Sequence, residues 1–267
     1  MSQNETNGYY LTYDLPIPYS KQGSEEKLVF YPISLREYLF VNVYSDCLTF
    51  DKNSSRNRDI ILMTDLEYLY YVSQDKQLSV EKPYVFYLDR LLALSLKEDK
   101  SFLNMEKSST RYGYNKNKKP RIKLGNTFYD SIDFENIRTI ICQQNKIELP
   151  DTNLSKEVRD SIDEARFYKN KENKPATLEE LIVSLSVATG WKIEEIYDMN
   201  IRKFLLAINR MDNLIHYKIY LGASMSGMVT FKDNSFIKHW LSSLELTGSQ
   251  KYKDVTMSME ALHEKIG

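Results

Sequence analysis

Glycine and proline are scarce in this chain of 267 residues, which contains nine glycines and seven prolines. Loops that cradle phosphate groups need closely spaced glycines, because the backbone must come near the ligand. The sequence has no glycine-rich loop of the Walker or dinucleotide-binding type. A nucleotide-binding function is therefore not expected.

Cysteine and histidine are also few, with two and three copies. Cys47 and Cys142 lie within apolar helical patterns and far apart in sequence, which predicts buried free thiols rather than a disulfide. The histidines, His216, His239 and His263, have no metal-ligand spacing with other residues. A G-x-S-x-G turn is absent, and neither cysteine has a basic neighbour. We therefore expect no enzymatic activity, no metal and no cofactor.

Long apolar runs and an excess of one charge are missing as well. The longest runs, such as residues 91–96, are far short of the roughly 20 residues that cross a bilayer, so no membrane span is predicted. The 36 Lys and Arg residues nearly balance the 37 Asp and Glu residues, which leaves no global field for nucleic acid or anionic lipid. Residues 1–8 are polar and do not resemble a secretion signal, so we expect a cytoplasmic protein.

Helix signals are frequent along the chain. The S/T-x-x-E spacing of a capping box occurs at Ser34 with Glu37, Thr64 with Glu67, and Thr177 with Glu180. With apolar periodicity, these signals predict helices over residues 34–49, 64–73, 84–96, 133–144, 155–169, 177–190, 193–197 and 201–223. The first helix has an apolar stripe formed by Leu35, Tyr38, Leu39, Asn42, Val43 and Asp46. The helix over 84–96 is apolar nearly all round and is predicted to be buried.

The helical period disappears over residues 101–130. Residues 121–124 and 127–129 are predicted strands of a hairpin, because Gly125 and Asn126 accept the backbone angles of a tight turn. A short strand is expected at 28–31, and Pro16 and Pro18 favour an extended path over residues 9–19. The predicted fold class is mainly α (α+β), with helical N-terminal and C-terminal segments and a small antiparallel β ribbon near residues 101–130.

The predicted organisation has four parts. Residues 1–27 form an extended N-terminal arm, residues 28–170 a helical domain with the inserted β ribbon, residues 175–246 a C-terminal helical domain, and residues 247–267 a loosely ordered tail. The charged residues 169–174 are the candidate linker, since they contain no apolar side chain.

Two compositional features leave alternatives open. The chain has 20 tyrosines, which fit half-buried core positions and also suit protein interfaces. The ribbon from Arg111 to Lys123 combines cations with aromatic rings, listed as Arg111, Lys116, Lys118, Lys119, Arg121, Lys123, Tyr112 and Tyr114. A solvated loop explains this ribbon better than a nucleic-acid interface does, although cations on phosphates and rings under bases would suit single strands.

Two stretches of the sequence carry a resemblance to a known family. The first has FYPISLREY at residues 30–38, CLT at 47–49 and DKN at 51–53. The second has YKIY at 217–220, ASMSGMVTFK at 223–232 and IKHW at 237–240. Together they resemble the tail assembly chaperones of long-tailed bacteriophages. The central β ribbon has no role in that resemblance.

The resemblance implies a non-enzymatic protein of the host cytoplasm that coats the tape measure protein, keeps it soluble and helps to recruit tail tube subunits. Partner binding would then involve the candidate residues Tyr217, Tyr220, Met225, Met228, Phe231 and Trp240. Core packing explains these side chains equally well, and formation of a homo-oligomer is left open. Two alternatives are a baseplate or tail component that stays in the virion, and a nucleic-acid-binding protein that uses the ribbon.

Overall fold

The computed structural model describes residues 3–52, 55, 57–97, 119–150, 156–169, 176–226 and 239–242. Within these ranges the chain is mainly helical and has two small antiparallel two-stranded sheets, which confirms the predicted fold class. The predicted tail, residues 247–267, and residues 170–174 of the candidate linker lie outside the described ranges.

The helices and the strands are each numbered in chain order. The helices are α1 (Gln3–Tyr13), a 3-10 turn (Leu35–Glu37), α2 (Tyr38–Tyr44), α3 (Asp46–Thr49), α4 (Arg58–Leu62), α5 (Asp65–Gln74), α6 (Lys76–Glu81), α7 (Tyr84–Leu96), α8 (Ser131–Asn145), α9 (Lys156–Lys169), α10 (Leu178–Thr189), α11 (Ile193–Asp198) and α12 (Ile201–Met225). The strands are β1 (Ile17–Ser20), β2 (Lys27–Phe30), β3 (Ile122–Leu124) and β4 (Thr127–Tyr129).

The chain divides into two compact units. Unit 1 comprises Met1–Thr152 together with Tyr197–Arg202, and unit 2 comprises Asn153–Ile196 together with Lys203–Gly267. The four domain ranges predicted from the sequence stay a prediction.

The β1–β2 hairpin contributes to the core of unit 1. The strands are antiparallel, with Ile17 opposite Phe30 and Tyr19 opposite Leu28, and these four side chains are buried. The helices bind the end of β2, since Gln144 Nε2 donates a hydrogen bond to the Phe30 carbonyl at 3.0 Å. The backbone N–H of Tyr31 donates to the Ser95 carbonyl at 2.6 Å.

The N-terminal segment differs from the prediction of an extended path over residues 9–19. The chain is helical through Tyr13, and only Ile17–Ser20 is a strand. Proline restricts its own backbone and that of the residue before it, so Pro16 has no influence on Tyr13. The helix ends at Tyr13, and the next residue, Asp14, has a φ of 60°.

The first predicted capping box does not form. Ser34 makes no side-chain cap, and its hydroxyl instead donates to the Glu37 carboxylate at 3.0 Å. The N–H of Leu35 donates to the Met199 carbonyl at 2.8 Å, and Ser34 pairs with Asn200 in an isolated β-bridge. These contacts draw the first turn into a 3-10 helix, so the prediction of a capping box at Ser34 is wrong.

The other two predicted capping boxes are confirmed. The Glu67 N–H donates to Thr64 Oγ1 at 3.2 Å, while the Thr64 N–H donates to the Glu67 carboxylate at 2.7 Å. Thr177 and Glu180 make the same reciprocal pair at the start of α10. Gly190 ends α10 with a φ of 77°, as predicted.

The predicted hairpin in the ribbon is also confirmed. Leu124 pairs with Thr127, and Gly125 has a φ of 59° in the turn between them. The Glu26 carboxylate binds this turn, because it accepts hydrogen bonds from the Asn126 N–H at 3.3 Å and from Thr127 Oγ1 at 2.5 Å. The hairpin thereby becomes part of unit 1.

Two short helices, α4 and α6, were not predicted from the sequence. Neither helix buries a side chain, so no apolar period marks them. Their N-termini have side-chain caps, in which Asn57 accepts from the Asp59 N–H and Asp75 accepts from the N–H groups of Gln77 and Leu78. These caps are the local signal that could have located both helices.

Candidate protein-binding surfaces

The first candidate surface lies on α2 in unit 1. Leu39, Phe40 and Val43 are 69%, 54% and 49% exposed, although the sequence placed Leu39 and Val43 on a single apolar stripe with Leu35. The buried side chains of this region are Leu35, Val41, Cys47 and Leu48. The 3-10 turn before Tyr38 and the break at Ser45 change the rotational phase, so a continuous 3.6-residue period does not apply.

Aromatic rings of α7 extend this surface. The Tyr44 ring lies 6.3 Å from the Phe86 ring and 5.6 Å from the Tyr87 ring, and Phe40 stacks on Tyr44 at 6.1 Å. The Arg90 guanidinium lies 5.1 Å from the Phe86 ring centroid. Helix α7 was predicted to be buried, but its apolar residue Phe86 is exposed.

We define the α2–α7 surface as Leu39, Phe40, Val43, Tyr44 and Phe86. Contiguous apolar groups at the surface of a folded protein commonly mark contacts with another macromolecule. Aromatic side chains contribute strongly to such contacts, because they present a large rigid area. The α2–α7 surface has both properties.

The second region contains the residues predicted to bind a partner, and it lies in unit 2. On α12, Tyr217 is half-buried, Tyr220 is exposed and Met225 is 79% exposed. Trp240 lies half-buried in a turn. Met228 and Phe231 lie outside the described residues.

The structure brings two of these predicted residues close together. Arg210 of α12 donates hydrogen bonds to the carbonyls of Trp240 at 2.7 Å and Ser242 at 2.6 Å, which holds the turn against the helix. The His239 ring lies 5.1 Å from the Tyr217 ring and 6.2 Å from the Trp240 ring. His239 thus belongs to an aromatic contact with Tyr217 and Trp240.

A third surface, on α10 in unit 2, was not recognised in the sequence. Ile182 and Leu185 are buried, whereas Val183 and Val187 point away from them and are 45% and 82% exposed. Trp191 and Ile193, just beyond the helix, are also exposed. We call Val183, Val187, Trp191 and Ile193 the α10 stripe. Its signal in the sequence was a second set of apolar residues outside the Leu181–Leu185 face.

A buried cation of unit 1, Arg138, has several structural partners. Arg138 binds the carboxylates of Asp65 and Glu135 and donates through Nε to the Leu48 carbonyl at 2.8 Å. Lys52 also pairs with Asp65. Burial, followed by repulsion from Asp65, raises the pKa of Glu135. Arg138 thereby links its own helix α8 to α5 through Asp65 and to α3 through the Leu48 carbonyl.

The cysteines are buried free thiols, as predicted. Burial raises the pKa of Cys142 to about 12 and raises that of Cys47 as well. His216 pairs with Asp212 at 3.3 Å on the surface of α12, and His263 lies outside the described residues. In the described parts of the chain, no group of three or more His, Cys, Asp or Glu side chains is placed to hold a metal ion.

The basic ribbon is described only in part. Lys119 and Arg121 are exposed, and Lys123 Nζ lies 5.8 Å from the Phe128 ring centroid. The predicted nucleic-acid contacts at Arg111, Lys116 and Lys118 fall outside the described residues. The solvated loop and its nucleic-acid alternative therefore both stay untested predictions.

Comparison with known proteins gives a family match in the C-terminal half of the chain. Residues 169–245 match the model of a family described as the YomV second domain, which is a domain of phage origin. The matched range contains the α10 stripe and all six candidate partner-binding residues. No curated protein and no solved structure matches the chain. The match points to a phage origin and assigns no activity.

Every helix in the described ranges is too short or too polar to cross a bilayer.

Proposed function

We propose that this protein is a non-enzymatic tail assembly chaperone of a phage, which acts in the host cytoplasm. It binds the tape measure protein, keeps that protein soluble and helps to recruit tail tube subunits. The observation that carries this proposal is the exposure of apolar and aromatic side chains on helices of both units, within a chain whose residues 169–245 match a phage domain.

The chemistry of the exposed side chains suits this partner. A tape measure protein is a long helical chain, and helices bind through apolar anchors spaced three or four residues apart. Leu39 and Val43 have that spacing on α2, as do Ile215 and Ile219 on α12, and all four are exposed. Met225 adds a flexible thioether that adapts to helical ridges of different shape.

The test is co-expression with the tape measure protein of the same phage. We expect the tape measure protein to be soluble and to co-purify with the native chain. The double variant Leu39→Ser/Phe40→Ser should lower the soluble fraction several-fold without unfolding unit 1, because both side chains are exposed. Lys218→Ser, on the exposed face of α12, is the control and should retain full solubilisation.

Two results would contradict the proposal. One is a tape measure protein that stays insoluble with the native chain present. The other is stoichiometric recovery of this chain from purified virions by mass spectrometry, which would favour a retained baseplate or tail component.

A further inference from the structure

The α10 stripe lies on a helix with two apolar sides. Ile182 and Leu185 form the buried side of the helix in unit 2, and Val183 and Val187 lie on its exposed side. Valine is also a weaker helix former than alanine, lysine or glutamate, since its branched side chain loses freedom on a helix. Two valines on the exposed side are thus unfavourable for the isolated helix. Contact with a partner would offset this cost in helix stability.

The stripe is held in a defined shape. The capping box of Thr177 and Glu180 begins α10, and Gly190 ends it in a left-handed conformation. Ser186 Oγ donates to the Trp191 carbonyl at 2.7 Å, and the Trp191 N–H donates to Thr189 Oγ1 at 3.2 Å. A surface that is already ordered loses little conformational entropy when a partner binds.

Charge around the stripe indicates what kind of partner fits. Residues 176–196 contain four exposed glutamates, Glu179, Glu180, Glu194 and Glu195, against a single lysine, Lys192. The first two glutamates precede Val183 by four and three residues. The other two follow Trp191 by three and four residues. A partner with basic side chains on either side of an apolar ridge would complement both features.

We propose that the α10 stripe binds an amphipathic helix whose apolar ridge is flanked by lysine or arginine. The 12 residues of α10 span about 18 Å, so three turns of the partner helix make contact. The proposed function supplies the source of this helix, the tape measure protein, while its chemistry follows from the stripe alone. The site differs from the residues on α12 and at Trp240.

The test uses the full-length chain and a defined peptide. The probe is a fluorescein-labelled 18-residue peptide of leucine and lysine, with its leucines at helical spacing on one side. The chain contains two tryptophans, so Trp240→Phe leaves Trp191 as the single reporter in the stripe. Peptide anisotropy gives the Kd, and Trp191 emission reports contact at the stripe.

We expect saturable binding with a blue shift of Trp191 emission. Val183→Ser/Val187→Ser should weaken binding at least ten-fold, and Glu179→Lys/Glu194→Lys should abolish its salt dependence. Ser184→Ala, on the same helix, is the matched control and should bind like the native chain. A leucine and glutamate peptide with the same apolar spacing should bind at least ten-fold more weakly than the lysine peptide.

Several outcomes would overturn the inference. Equal affinity for the basic and acidic peptides would remove the charge argument, and an unchanged Kd in Val183→Ser/Val187→Ser would place binding elsewhere. If these serines instead abolish a concentration-dependent dimer in analytical ultracentrifugation, the occupant is a second copy of the chain.

Peptide binding that persists when tape measure solubilisation fails would contradict the proposed function and leave this inference standing.

Discussion

Arg138 shows how individual polar residues hold unit 1 together. It is nearly buried and links Asp65 of α5, Glu135 of its own helix and the Leu48 carbonyl of α3. Removal of one partner from a buried charge network leaves the others desolvated and unpaired. Arg36, which pairs with Asp198 at 2.7 Å, has the same chemistry on the surface, where both side chains are more than half exposed.

Arg138→Met should lower the free energy of unfolding by roughly 3 kcal/mol, because Asp65 and the Leu48 carbonyl lose a buried donor. Arg36→Met is the matched control and should cost less than about 1 kcal/mol, since water screens an exposed pair. Urea denaturation followed by circular dichroism measures both. Equal losses in the two variants would show that burial of Arg138 is unimportant for stability.

The ionisation of Asp133 makes the stability of the folded state depend on pH. Burial alone would raise the pKa of Asp133, but hydrogen bonds from the Asp130 N–H, Tyr19 and Lys21 outweigh that effect and lower the pKa from its ordinary 3.8. The Tyr19 hydroxyl donates to the carboxylate at 2.7 Å, and Lys21 Nζ lies 3.1 Å from it. A lowered carboxylate pKa stabilises the folded state above the ordinary pKa, and that stabilisation is lost as pH falls through the folded pKa.

Asp133→Asn should therefore be least stable relative to the native chain above about pH 4, and the difference in stability should shrink at lower pH.

Glu135→Gln should show the opposite dependence of stability on pH. The pKa of Glu135 is raised from its ordinary 4.5, so ionisation of Glu135 destabilises the fold and the native chain recovers that stability as pH falls toward 4.5. Urea midpoints between pH 3 and pH 7 would measure both slopes. Parallel curves for native and Asp133→Asn would rule out this role.

At the scale of elements, the same sequence pattern has two different outcomes. Ser34 with Glu37 and Thr64 with Glu67 have identical capping-box spacing, yet only Thr64 accepts a hydrogen bond from the backbone of its helix. Leu35 is instead bonded through its N–H to Met199, a residue 164 positions away in sequence. A long-range backbone contact thus replaces a local cap.

Thr64→Ala should lower stability by about 1 kcal/mol, because the N–H of Glu67 loses its acceptor at the start of α5. Ser34→Ala should change stability by no more than about 0.5 kcal/mol, since the Ser34 hydroxyl caps no backbone group. Thermal unfolding of the two variants under identical conditions provides the comparison. A larger loss in Ser34→Ala than in Thr64→Ala would contradict the assignment of caps.

At the scale of the whole molecule, one short segment belongs to a different unit from the residues on either side of it in sequence. Tyr197–Arg202 is part of unit 1, although residues 153–196 and 203–267 belong to unit 2. Within unit 1, the Asn200 side chain donates to Asp14, and Arg202 donates to the Leu11 carbonyl at 3.1 Å. The segment thus completes unit 1 from within the residues that match the YomV second domain.

Asn200→Ala should lower the stability of unit 1 by about 1 to 2 kcal/mol, because the hydrogen bond from buried Asn200 to half-buried Asp14 is lost. Asn209→Ala is the control, since Asn209 is exposed on α12 and alanine favours helix there. Hydrogen exchange of the β1 and β2 amides would report unit 1 directly. Faster exchange in Asn209→Ala than in Asn200→Ala would contradict the assignment of this segment to unit 1.

Local signals in the sequence were sufficient for most helices and for one hairpin. The caps at Thr64 and Thr177, the end of α10 at Gly190 and the turn at Gly125 were all predicted and confirmed. Each depends on residues within four positions along the chain, so the sequence contains the whole interaction. The short helices α4 and α6 were missed because no buried side chain marks them.

The sequence by itself determined the fold class and most of the local elements, because capping, turn formation and apolar periodicity act over a few residues. The tertiary structure alone decided that Leu39 and Val43 are exposed, that Arg138 meets Asp65, and that Tyr197–Arg202 joins unit 1. The α2–α7 surface belongs to this second group, as Phe86 meets Tyr44 from a distant part of the chain. Such contacts depend on which elements pack against each other, and neighbouring residues in sequence do not specify that choice.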